Sequence, residues 1–475
     1  MIKFIKNLEK NLFLKSLFTL FNASTLASLI YLISLPILTR IYSPSEYGLY
    51  GSLVSISSIF LTICCLRYET AIPISINKFE TYKLIILSSV ILLFFLIIII
   101  FIYFSLYPFF NLFDNFSIIN DNIYLFLLFI LLGGINLIIR FTLIKFKNFE
   151  ILGNMKVIEF SSRFFLQILF LSWNYVGLFI GHVLSFFLPI IYFFSKFKFF
   201  KKKKLSLKQI KKVSSKYDKY PKFSTLEALV NIFGYSIPTI FFFNLFGHEI
   251  AGYYFLAISL MSLPLVLLGR TVNTVYYSLS PKKNKKKFKS LFYSINKNLI
   301  EIFFPFYFLI QFSLQDMIPI IFGSNWLVTG KICSYMCAWF FLSILSDSLN
   351  NTVNITRNIK EDFYLKLLFL ILRLFTLFTL YNIEDSNLGI LIYVMVNTVI
   401  VLLNIIWFHY LAGINLVNFF NLVIRKLVIS LIYSVPLIVA IVLDFENNFK
   451  ILFFILSLIT IFYILNSKVR KYFKL

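Results

Sequence analysis

Four arginines (Arg140, Arg163, Arg270, Arg373) and four carboxylates (Glu159, Glu227, Glu301, Asp347) interrupt otherwise apolar stretches of this chain. A charge in hydrocarbon costs at least about 2.5–3.5 kcal/mol, so such groups turn toward a bundle interior or an aqueous cavity and mark a path for ions or polar cargo. Arg163 and Arg373 lie too deep in their stretches to reach water readily. Arg140 and Arg270 stand nearer the ends, where a long side chain can snorkel. Glu159, Arg163 and Gln167 recur at one helical turn, which lets the first two pair within one helix. Glu227 shares a stripe with Ser224, Asn231, Gly234 and Pro238, and Asp347 shares one with Ser343, Asn350, Asn354 and Arg357. Both stripes follow helical spacing. A carboxylate at the centre of such a stripe is a candidate carrier of a proton or a sodium ion. Arg67, in Arg67-Tyr68-Glu69, closes a further apolar stretch at its inner end.

Membrane helices must position these groups. The 475 residues are 60% hydrophobic and 14% charged, with 61 Phe, whereas an average soluble domain is about a quarter charged. A hydrocarbon core of about 30 Å takes about 20 helical residues, and fourteen stretches qualify, from 13–38 through 449–466. With the first residues taken as cytoplasmic, every Lys and Arg outside the spans falls on the cytoplasmic side except Arg40, Lys331 and Lys450. The positive-inside rule requires that pattern, and one span more or fewer would destroy it. Both termini are therefore expected in the cytoplasm. The net charge of +25 is expected to meet anionic lipid headgroups there, not nucleic acid. The basic start imitates a signal peptide, but its apolar run continues to Leu38 and reads as an uncleaved first helix.

The longest polar interruption, Ser195 to Lys222, carries the run Lys201–Lys204 and separates two halves that repeat one another. Ser24-Thr25-Leu26 recurs as Ser224-Thr225-Leu226, Pro36 as Pro238, Gly48 as Gly252 and Tyr50 as Tyr254, in that order. The expected fold is an all-α polytopic membrane protein. A six-helix lobe over 1–195 precedes a basic cytoplasmic linker over 196–221. A second six-helix lobe covers 222–409, and two additional helices with a basic tail cover 410–475. Because six is even, both lobes enter from the same side and form parallel repeats.

Signals for bond-making chemistry are absent. His182, His248 and His409 lack metal-ligand spacing, and Cys64, Cys65, Cys333 and Cys337 read as packing residues. Gly330-Lys331 is followed by Ile332, where a phosphate loop needs Ser or Thr. Neither an enzyme nor a metal nor a cofactor is expected.

The stretch Ser34 to Pro73 reads LPILTRIYSPSEYGLYGSL and then LRYETAIPI. It resembles the N-terminal signature of the polysaccharide repeat-unit flippases, the O-antigen and capsule translocases. These belong to the multidrug/oligosaccharidyl-lipid/polysaccharide exporter superfamily. HEIAGYYFLAISL at 248–260 resembles the second-lobe echo of that signature. The resemblance implies two six-helix lobes that move undecaprenyl-diphosphate-linked oligosaccharide from the inner to the outer leaflet of the bacterial inner membrane. Surface polysaccharides such as lipopolysaccharide would be the product, with a polymerase and glycosyltransferases as partners. Members generally have twelve spans, and fourteen occurs in relatives such as the peptidoglycan-precursor flippases.

The resemblance carries over no catalytic residue, only a tendency toward a cationic lumen. On this reading Arg163 and Arg373 meet the cargo diphosphate, which a guanidinium grips through two parallel hydrogen bonds. Arg270 and Arg67 support them nearer the cytoplasmic entrance, and Asn231 and Asn350 contact the cargo as well. Glu227 and Asp347 couple transport to ions. One alternative is a multidrug or small-cation exporter of the same superfamily, which would want a cavity dominated by carboxylates. Another is a membrane glycosyltransferase or polymerase, which would need acidic catalytic residues on a large outer loop. The loop from Tyr107 to Asp121 offers only Asp114 and Asp121.

Overall fold

The computed structural model describes residues 12–110, 120–197, 206–265, 269, 272–273, 276–277, 280, 285–443 and 445–473. Among them every regular element is a helix. By internal packing the chain forms two units, Met1–Gly252 and Tyr253–Leu475.

The first unit contains α1 (Leu12–Ile41), α2 (Pro44–Ile63), α3 (Lys78–Phe110), α4 (Ile123–Lys145) and α5 (Phe149–Leu169). A broken pair follows, α6 (Asn174–Ser185) and α7 (Phe187–Lys196), then a short α8 (Leu207–Lys216) and α9 (Thr225–Phe246). The start of α10 (His248–Pro264) also belongs here. A capping box sets the corner between α1 and α2. The Ser43 hydroxyl accepts the Glu46 N–H at 3.3 Å, and the Glu46 carboxylate accepts the Ser43 N–H at 2.7 Å. Pro44 occupies the first turn, where its missing N–H costs nothing.

From that corner α2 runs along α9, while α1 runs along α5. On α2, Ser52 and Ser55 are buried, as small residues let membrane helices approach closely. The tightest approach lies between α2 and the start of α10. A Cβ on Gly48 would stand 1.8 Å from the His248 carbonyl oxygen, and one on Gly252 would stand 1.9 Å from that of Pro44. Two glycines aligned by the sequence repeat thus meet backbone to backbone.

At its other end α2 stops at Ile63. Leu66 and Arg67 of the following turn both have positive φ, and the chain bends by 54° into a 3-10 helix, Tyr68–Ile74. The linker docks here. Val213 and Tyr217 join an apolar cluster with Tyr68, Ala71, Ile72 and Leu84. Lys216 pairs with Glu80, and the Tyr68 hydroxyl bonds that of Ser214 at 3.1 Å. Lys201–Lys204 lie outside the described residues. The division between the units falls later than the linker because α9 packs against α2.

The second unit continues through α11 (Lys285–Phe303), α12 (Tyr307–Phe322), α13 (Leu327–Leu349), α14 (Thr352–Thr356) and α15 (Ile359–Thr379). It ends with α16 (Ser386–Ala412), α17 (Leu416–Val442) and α18 (Asn447–Phe473). Its core helix is α13, packed between α12 and α16, with Cys333 and Cys337 free and buried. The two additional helices settle on α12 through Leu309, Leu437 and Ile461. The Ser430 hydroxyl accepts the Phe308 N–H at 3.0 Å, and Lys450 pairs with Asp316 at 3.8 Å.

The described residues of the fourteen expected stretches lie mainly on helix, and part of the stretch 249–279 lies outside the described residues. Ten described helices are long and apolar enough to cross a membrane, and eleven if the bent pair Pro44–Ile63 with Tyr68–Ile74 counts as one span. Of the others, α5 carries Glu150, Lys156, Glu159 and Arg163, which lower its hydropathy. Exposed stripes identify the lipid-facing sides, as in Val90, Leu93, Phe94, Ile97, Phe101 and Phe104 of α3. A contiguous apolar face of that length belongs in hydrocarbon. The protein is a multi-pass, all-α membrane protein.

Candidate functional site

Each unit holds its own arginine centre. In the first unit, α5 presents Glu159, which is 4% exposed, between two guanidinium groups. Arg163, four residues on, approaches the Glu159 carboxylate at 3.2 Å, and Arg140 of α4 pairs with its other oxygen. The pairing within α5 follows from spacing alone. The participation of Arg140 is a correction, because its guanidinium meets Glu159 where snorkelling was left open. Two cations share one anion, so the cluster carries a net positive charge in an apolar bundle. Such a group is held only if its partners stay in place, since removing one leaves a buried charge uncompensated. Arg163 also lies over the Phe160 ring, 5.0 Å from its centroid.

A polar chain next to this cluster ties four segments together. The Tyr42 hydroxyl donates to the Gln167 carbonyl at 2.6 Å, and the Gln167 amide donates to the Leu178 carbonyl at 3.0 Å and to the Tyr50 hydroxyl at 3.4 Å. Tyr50 in turn bonds His182 Nδ1 at 3.0 Å. These groups are buried, and the Arg163 charge acts on Tyr50 and His182. A satisfied network of this kind rigidifies the helices that carry the arginine.

The second unit solves the same problem without a carboxylate. Arg373 of α15 donates from Nε to the side-chain oxygen of Asn397 on α16 at 2.8 Å. Asn397 is fully buried, and its amide donates to the Tyr393 carbonyl at 2.8 Å. Tyr254 and Tyr393 feel the Arg373 charge. Their rings stand edge to face at 6.4 Å, and Trp339 meets Tyr393 at the same separation. Among the described residues no carboxylate lies within 4 Å of Arg373, and its terminal nitrogens make no hydrogen bond.

The remaining expected residues are spread out. Arg67 sits at the turn after α2, 3.8 Å from the buried carboxylate of Glu69. Glu227 and Asn231 lie one turn apart on α9, and both are exposed. At bilayer depth an exposed carboxylate faces water, because hydrocarbon would penalise it. Asp347 is partly buried in α13 against Gly269, and Asn350 is exposed at the end of that helix. Arg270 lies outside the described residues. Sequence reasoning missed Asn397 and the Tyr50–His182 pair. The available signal was Asn397 itself, an amide in the middle of the mostly apolar α16. In the linker, the hydrogen bond to Glu80 raises the Lys216 pKa above its ordinary lysine value.

These helices and arginine centres define a helical multi-pass membrane protein, and known structures share its fold. The lipid II flippase MurJ in an inward closed conformation matches with a TM-score of 0.69 at 14% identity, over 95% of this chain and 99% of that chain. A MOP superfamily transporter from Pyrococcus furiosus matches with a TM-score of 0.56 at 13% identity, over 84% and 96%. An outward-facing multidrug resistance MATE family transporter of that superfamily matches with a TM-score of 0.54 at 13% identity, over 84% and 96%. At such identities the likeness is one of fold. The family described as polysaccharide biosynthesis protein matches residues 37–330, and the chain belongs to it. No curated protein matches the sequence.

Proposed function

We propose that this protein flips undecaprenyl-diphosphate-linked oligosaccharide from the cytoplasmic to the outer leaflet of a bacterial inner membrane, for polysaccharides of the O-antigen or lipopolysaccharide kind. The observation that carries the reading is Arg373, a guanidinium inside an apolar unit whose terminal nitrogens meet no described carboxylate. A desolvated cation is costly unless an anion meets it, and phosphate oxygens match the guanidinium fork. Arg163 is the counterpart in the first unit, within a cluster that keeps one positive charge in excess. Arg67 and Arg270 assist near the cytoplasmic entrance, and Asn231 and Asn350 contact the cargo.

The exposed Glu227 and the partly buried Asp347 are the proposed ion-coupling carboxylates. With both termini cytoplasmic, the basic loops meet anionic lipids. Glycosyltransferases supply the cargo and a polymerase consumes it. The two six-helix lobes, 1–195 and 222–409, remain the proposed repeat, with the arginines on the fifth helix of each.

The test is reconstitution in liposomes with fluorescent undecaprenyl-diphosphate-linked trisaccharide, read by a quencher that cannot cross the bilayer. Wild type should equilibrate the label between leaflets, and Arg163→Lys and Arg373→Lys should slow this while accumulating normally. Wild-type rates in both lysine variants refute two-pronged diphosphate recognition. Export of a lipophilic cation in place of the lipid-linked sugar assigns the protein to the drug-exporter reading.

A further inference from the structure

We infer that Asn397 is a positioning residue for the cargo diphosphate, acting through Arg373; this rests on the flippase reading above. Four observations support it. Asn397 is fully buried in α16, so its amide has no solvent to satisfy it and must be held by protein. Its Nδ2 is fixed by the Tyr393 carbonyl at 2.8 Å, which sets the direction of its oxygen. That oxygen takes Nε of Arg373 at 2.8 Å. Among the described residues Arg373 makes no other hydrogen bond or ion pair, so its two terminal nitrogens are left for a ligand.

Holding Nε fixes the plane of a guanidinium and halts rotation about its long stem. The fork is then pre-organised, and less freedom is lost when an anion binds. A neutral amide does this without cancelling the charge. The first unit shows the contrast, since there a carboxylate, Glu159, occupies Arg163 directly. The chemistry selected at Arg373 is therefore a planar, two-oxygen contact from a phosphate group carrying at least one negative charge.

The experiment uses the full chain purified in detergent, with farnesyl diphosphate as the probe and farnesol as the control lacking phosphate. Wild type should bind the diphosphate and not the alcohol. Asn397→Leu keeps the arginine but frees it, and should weaken diphosphate binding about tenfold, the scale of one lost charge-assisted hydrogen bond. In an Arg373→Lys background, which has no fork to orient, the same change should cost less than about twofold. Asn397→Asp keeps the size and the acceptor but pairs the arginine charge, and should abolish diphosphate binding. The protein should still purify as a helical, monodisperse species, with the lost donor to the Tyr393 carbonyl lowering the melting temperature. That variant carries the test if Asn397→Leu does not fold. Wild-type affinity in either Asn397 variant, or an equal loss in both backgrounds, overturns the inference while leaving the flippase reading intact. Absence of diphosphate binding by wild type overturns the reading beneath it, and the inference with it.

Discussion

Alanine at Gly48 should push α2 away from the start of α10. The added Cβ would stand 1.8 Å from the His248 carbonyl oxygen and 2.9 Å from the Gly252 nitrogen. Real Cβ contacts stop near 3.0 Å, so the carbonyl must retreat by about 1.2 Å from its 1.8 Å position. Two effects oppose one another. Alanine gains about 1 kcal/mol of helix propensity over glycine, whereas overpacking costs about 1–3 kcal/mol. The clash should win, because the obstacle is helix backbone and cannot rotate aside. Gly133→Ala is the control, since its new methyl would meet a rotatable Leu61 methyl at 2.9 Å. An overpacking cost of that size corresponds to about fivefold to 150-fold in the population of the close packing. Spin labels at positions 45 and 249 read the separation of the two helices. A longer distance should dominate in Gly48→Ala and be absent in Gly133→Ala. An unchanged distance distribution and melting temperature in Gly48→Ala would refute the reasoning.

Glu159→Gln leaves Arg140 and Arg163 facing each other without an anion, and should cost about 3–5 kcal/mol, read as loss of monodisperse protein in detergent. Adding Arg140→Met should recover much of it; a single variant that melts like wild type contradicts the cluster. Ser43→Ala removes the cap of α2, and should cost about 0.5–2 kcal/mol, with faster amide exchange over 45–47 as its signature. Lys216→Met should undock α8, raising exchange over 207–216. Because Glu80 raises the folded-state pKa of Lys216, its contribution is complete below the ordinary lysine value of about 10.4 and is lost only as pH climbs past the raised value. Undocking of wild-type α8 between pH 6 and pH 9 would count against that pair.

What the sequence determined by itself is whatever depends on a single helix or on the bilayer. The fourteen stretches follow from hydropathy, and their described residues are mainly helical. The pairing of Glu159 with Arg163 follows from one helical turn, a relation that every α-helix imposes. The burial of Ser52 and Ser55 follows from the preference of membrane helices for small residues at their contacts. Relations between helices had no such period to announce them. Arg140 lies nineteen positions before Glu159 on a separate helix, and Asn397 lies twenty-four beyond Arg373. Gly48 and Gly252 were visible as counterparts in a repeat, but not as backbones in contact. The linker is legible in the sequence only as a basic interruption, whereas Val213 and Tyr217 anchor its helix in an apolar cluster. Only the tertiary structure decided these, because the rotation and depth of one helix against another are set by close packing along its whole length, and no local spacing encodes that sum.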